Sequence, residues 1–129
     1  MKHDVRLSTN DLVSGLKRYR ILARQDLLRA KSVEKPEVWR RHAEARLDVY
    51  YALTRLAERR TPEEVVAKAV ERYREVPLVS ETLQEKYVRF VAEEHAFENF
   101  FKLCGIEPEV SKEARLHRPK IVDEPLAVS

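Results

Sequence analysis

The chain has 129 residues, with 25 Lys and Arg against 22 Asp and Glu, a formal net charge of +3; that length suits one compact domain with a real core. Glycine occurs only at Gly15 and Gly105 and cysteine only at Cys104, which excludes glycine-rich phosphate loops, hairpin-rich β folds, a disulfide framework and multi-cysteine zinc sites. The longest uncharged run, Val49 to Thr54, is far short of the roughly 20 apolar residues of a membrane span, and Met1, Lys2, His3 and Asp4 open no apolar leader, so a cytoplasmic location is expected.

A first helix is expected over about residues 8–31. Ser8, Thr9, Asn10 and Asp11 read as a capping box with Asp in place of Glu, and Leu7 and Leu12 stand where a hydrophobic staple needs them. Leu12, Leu16, Tyr19, Ala23, Leu27 and Ala30 then recur at helical spacing and define one buried face. After a polar break at 32–35, Pro36 opens the second helix, in the first turn, where its missing N–H costs nothing. That helix, about 36–60, is apolar around more than half its circumference. Val38, Ala45, Val49, Ala52 and Leu56 form one stripe, and Trp39, Ala43, Tyr50, Leu53 and Ala57 the next. A helix so broadly apolar packs against two or more neighbours and is expected at the centre.

Thr61, Pro62 and Glu64 combine a cap, a first-turn proline and a capping-box acid, starting a third helix over 62–75 with Val66, Ala69, Val70 and Tyr73 inward. Residues 76–80 break it. A fourth helix, 81–104, carries Leu83, Tyr87, Phe90, Val91, Phe97 and Phe101 on one arc, and Gly105 with Pro108 behind it marks the stop. Pro119 and Pro125 interrupt the remaining chain, so 107–129 is expected as an extended tail with at most one helical turn near residues 111–117. The expected fold class is all-α: a single-domain antiparallel four-helix bundle over 1–106, with that tail behind it.

Polar groups on apolar arcs are the candidates for chemistry. Arg46 falls within the apolar arc of the second helix, with His42 one turn earlier. Glu94 falls among the aromatics of the fourth helix, with Glu98 one turn later. An unpaired buried charge is expensive, so Arg46 is expected to pair with Glu94, beside a hydrogen-bonded His42. An interface pair is a second reading, and a cavity using His42, Glu94 and Glu98 a third. Bundle di-iron sites use Glu-x-x-His on two helices, but Ala92 stands three before His95 and Trp39 three before His42, so no metal or cofactor is expected. Cys104 has no neighbouring His to activate it. The spacing of Arg89 and His95 resembles the loose Arg-x(4–6)-His pattern of HEPN-type ribonucleases, which are also small helical bundles. That resemblance implies a catalytic Arg and His. On a regular helix six residues turn the chain by about 240°, so the pair would need a distortion to face together.

Charge divides along the chain. Residues 1–35 hold nine basic and four acidic groups, whereas 61–105 hold six and nine. Lys17, Arg20, Arg24 and Lys31 share one flank of the first helix, a stripe suited to phosphates, although no stacking aromatic is expected on it. Ile21 and Leu28, one heptad apart, lie opposite the core-facing arc between arginines, and Tyr51 lies on the outer side of the second helix. Both features suit a protein contact. Low amide content, with four Asn and Gln in all, is also met in heat-adapted proteins. The function expected first is therefore a non-catalytic interaction or assembly protein, a homo-oligomer or partner-binding subunit. It would act through Ile21 and Leu28 and through the tail segments Lys120, Ile121, Val122 and Leu126, Ala127, Val128. Nucleic-acid binding through the basic stripe comes second, and an enzyme using Arg89 with His95, or His42 with Glu94, third.

Overall fold

The computed structural model describes residues 5–122. The opening four residues and the Leu126, Ala127, Val128 segment lie outside the described residues. Within them the chain is mostly helical, so the all-α class holds, but five α-helices stand where four were expected. They are α1 (Thr9–Arg29), α2 (Pro36–Ala57), α3 (Pro62–Glu75), α4 (Val88–Cys104) and α5 (Pro108–Leu116). Two short strands, β1 (Leu78–Val79) and β2 (Lys120–Ile121), and 3-10 turns at Ala30–Ser32 and Glu81–Leu83 complete the order.

Local chemistry accounts for most boundaries. Ser8 is extended at the start of α1, and its hydroxyl accepts the Asp11 N–H at 3.1 Å. At α3 the Thr61 and Glu64 side chains cap each other's backbone N–H reciprocally. Helix α2 ends at Ala57, short of residue 60, with the Arg59 and Arg60 N–H groups both returning to the Leu56 carbonyl, and Thr61 before Pro62 is held extended (ψ 155°). Gly105 takes φ 67° after α4, and the Ile106 N–H returns to the Phe101 carbonyl at 3.0 Å. The second helix starts at Pro36 as expected, and the start of the fourth differs. Lys35 adopts φ 55° before Pro36, with its carbonyl accepting from Val38 and Trp39. The fourth helix begins at Val88, because Ser80 enters a 3-10 turn and Tyr87 (φ −113°, ψ 38°) leaves helical geometry.

The expected tail is the larger correction. Residues 108–116 form a two-turn helix, not one turn at most, and the chain then returns as β2 beside β1 in parallel register, Leu78 with Lys120 and Val79 with Ile121. Pro108 starts α5, Val110 and Ala114 sit four apart towards α3, and Pro119 lies just past its end. Ala114 belongs to the same core as the other helices.

That core joins Leu12, Leu16 and Ala23 of α1 with Val49, Tyr50 and Leu53 of α2, Val66, Ala69 and Tyr73 of α3, and Phe97, Phe100 and Phe101 of α4. Helix α2 packs against both α1 and α4, the central place its width predicted, and α3 packs against α4 and α5. Trp39 departs from the expected stripe: it is 40% exposed, and its indole N–H donates to the Asp26 carbonyl at 2.9 Å. At Gly15 a Cβ would lie 2.5 Å from Leu103 Cδ1, so the missing side chain makes room for the Leu103 side chain of α4.

Candidate functional site

The outer face of α1 carries large apolar groups in water. Ile21 is 45% exposed, Leu22 53% and Leu28 81%. Lys17, Arg18, Arg24 and Arg29 are exposed around them, with Lys31 in the adjoining turn. The basic flank does hold an aromatic, contrary to the sequence expectation. Tyr51 of α2 lies 4.9 Å from the Arg20 guanidinium and 5.6 Å from that of Arg24, measured to the ring centroid. Arg24 also donates to the Tyr51 hydroxyl. Arg20 and Arg24 stand four apart and so share one side of α1, where the neighbouring helix presents the ring between them.

The expected cluster of His42, Arg46, Glu94 and Glu98 separates into two groups. Arg46 bonds Asp26 of α1 at 2.6 Å, not Glu94, since Asp26 stands on the helix that packs alongside it. Arg46 Nε is buried without a partner among the described residues. His42 Nε2 meets His95 Nδ1 at 3.2 Å, bridging α2 to α4. Burial pushes the His42 pKa down to about 4, helped by the cationic Arg46 and by His95 and opposed by Asp26.

Glu94, next to His95 on α4, binds two arginines that the sequence pattern did not single out, Arg115 at 2.5 Å and Arg118 at 2.9 Å. The Arg118 side chain is 1% exposed. Its Nε donates to the Val76 carbonyl at 2.6 Å, its Nη2 to the Pro77 carbonyl at 3.1 Å, and its guanidinium lies 4.7 Å from the Tyr73 ring centroid. Burial alone would raise the Glu94 pKa, but Arg118 and Arg115 together hold it below the usual carboxylate value. Glu98 accepts from the Tyr73 hydroxyl at 2.7 Å and lies 3.6 Å from Arg115. A second buried polar set is equally invisible in the sequence pattern. Tyr19 stacks on Tyr50 at 5.3 Å and donates to the Asn99 carbonyl, while the Asn99 amide donates to the Tyr50 hydroxyl. Nothing in periodicity alone pairs these groups, because the partners are up to 80 residues apart.

Neither enzyme constellation is assembled by these contacts. Arg89, its side chain 79% exposed, pairs with Glu93 at 3.0 Å, whereas His95 engages His42. Glu94 is occupied by arginines and His42 by His95. Burial pushes the Cys104 thiol up to about 12, so it stays protonated near neutrality and is a poor nucleophile. Among the described residues no three His, Cys, Asp or Glu side chains are grouped to hold a metal ion. No described helix is long and apolar enough to cross a membrane.

A groove of about 430 Å³ runs between α3 and α5. Val70, Val110 and Ala114 form its apolar lining and Glu71, Glu75 and Glu113 its acidic rim, with Arg74 the cation among the described lining residues. Compared with known proteins, the chain matches no family model, no curated protein and no solved structure.

Proposed function

We propose that this chain is a non-catalytic assembly protein that self-associates through the outer face of α1. The observation that carries the reading is the exposure of Ile21, Leu22 and Leu28 on one helix. Leaving three large aliphatics in water forgoes burial worth about 1.5–3 kcal/mol for each, which a protein contact recovers. The surrounding arginines and Tyr51 are residue types enriched where proteins meet. In this reading the four longer helices form an antiparallel bundle, supported by short connections after α1 and α2, and the protein works in the cytoplasm, supported by its unpaired Cys104. Sedimentation velocity across a concentration series tests the proposal. The wild type is expected to rise in mass with concentration, and Ile21→Asp with Leu28→Asp to remain a monomer. A double variant that assembles like the wild type rejects the α1 face.

One observation favours a second reading, nucleic-acid binding by the basic stripe: Tyr51 between Arg20 and Arg24 supplies a stacking surface amid Lys17 and Lys31. Fluorescence anisotropy with mixed-sequence single-stranded RNA should then show binding at about 50 mM salt that collapses by about 200 mM and is lost with Arg20→Glu and Arg24→Glu. Absence of binding at the lower salt dismisses this reading.

A further inference from the structure

We infer that the groove between α3 and α5 receives the outer face of α1 from a second copy of this chain, so that assembly runs head to tail. The inference rests on the self-association reading and names the other half of the contact. A symmetric α1-to-α1 contact brings Lys17, Arg18, Arg24 and Arg29 against their own copies. The described acids of α1 do not relieve this: Asp11 stands in its first turn, and Asp26 is held by Arg46. Like charges brought together at a contact oppose it. The α3–α5 groove has the opposite character. Its lining of Val70, Val110 and Ala114 suits the apolar ridge of Ile21 and Leu28, and its rim of Glu71, Glu75 and Glu113 outnumbers its one described cation, Arg74, and so suits the cations beside that ridge.

The dimensions agree. Seven residues separate Ile21 from Leu28, about 10 Å along a helix axis, and the α3 wall from Ala67 to Glu75 is about 12 Å long. The ridge lies on α1 and the groove on α3 and α5, so one copy can give its ridge and receive another at once. Such a heterologous contact closes into a ring or continues as an open chain, and it does not stop at two subunits unless the rotation closes there.

Two surface variants test this by complementation. The ridge variant is Ile21→Asp with Leu28→Asp; the groove variant is Glu71→Lys with Glu113→Lys, both exposed positions. Thermal melting by circular dichroism establishes that each is folded, and Glu113→Lys alone replaces the groove pair if that pair misfolds. In sedimentation velocity each variant alone is expected to be a monomer. Their equimolar mixture is expected to double in mass to a one-to-one dimer, because one retains an intact groove and the other an intact ridge. A groove variant that assembles like the wild type while the ridge variant stays monomeric overturns the groove assignment and leaves self-association through α1 standing. A mixture that remains monomeric also overturns the groove assignment. Wild-type protein that is monomeric at every concentration, or assembly that survives both substitutions, removes the α1 reading and this inference together.

Discussion

His42 shows how one residue's surroundings become a pH dependence. It faces Arg46 on its own helix, His95 from α4 and Asp26 from α1, and its pKa falls from 6.5 to about 4. Between those values the unfolded chain binds a proton that the folded one refuses, so stability rises with pH through that window and is lost as pH falls through it. Above 6.5 both states are neutral and the effect vanishes. Discounted for solvent screening, the loss by pH 4 is about 1–2 kcal/mol. Urea denaturation at pH 7 and pH 5 should show the wild type weaker at pH 5, with a smaller difference in His42→Gln. An equal slope in both proteins denies His42 this role. Glu94 acts lower on the scale: its depressed carboxyl contributes stability above the ordinary value of 4.5 that is lost as pH falls below it. The sequence marked His42, Arg46 and Glu94 as anomalous because each interrupts an apolar arc. It did not reveal that Arg46 would choose Asp26, or that Glu94 would choose Arg118, because those choices depend on which helices lie adjacent.

Among the elements, boundaries written in proline, glycine and caps were legible, and those set by distant pairing were not. Thr61, Pro62 and Glu64 placed α3, and Gly105 placed the end of α4, because each of these residues restricts its own backbone or satisfies neighbouring N–H groups. Gly105 has open space where a Cβ would go, yet its φ of 67° suits no side chain well. Gly105→Ala should therefore cost about 1 kcal/mol in chemical denaturation, with Gly105→Asn costing less. Equal stability of Ala and Gly would mean that the left-handed stop is not needed. The start of α4 was hidden because Leu83 and Tyr87 keep helical spacing, while the local chain is diverted by the pairing of β1 with β2 some 40 residues later. Helix α5 was hidden for a different reason. It is mostly polar, and only Val110 and Ala114 turn towards α3, too few for a periodic signal.

At the scale of the whole molecule, the all-α class came from scarce glycine and long helical periodicity. The central position of α2 came from its width. The proposed assembly geometry did not, since it depends on which surfaces the fold leaves apart. The basic first half and acidic 61–105 segment become two separate features of the folded chain, a cationic ridge and an acid-rimmed groove formed with α5. Charge that is nearly balanced in total is thereby segregated in space, and that segregation is what the proposed head-to-tail contact uses.

Arg118 carries a consequence for the order in which this protein can be made. The Val76 carbonyl is formed 42 residues before the guanidinium that it accepts from, and Glu94 precedes that guanidinium by 24. During synthesis the α1–α2 pair can dock as soon as both helices have left the ribosome. The Val76 and Pro77 carbonyls between α3 and α4, by contrast, stay with water until residue 118 emerges, and Glu94 has only Arg115 of its two arginines until then. The last stretch of described chain thus acts as a latch on a segment laid down well before it, and a nascent chain halted before that residue carries every described helix but lacks the contacts that tie the α3–α4 turn to the end of the fold.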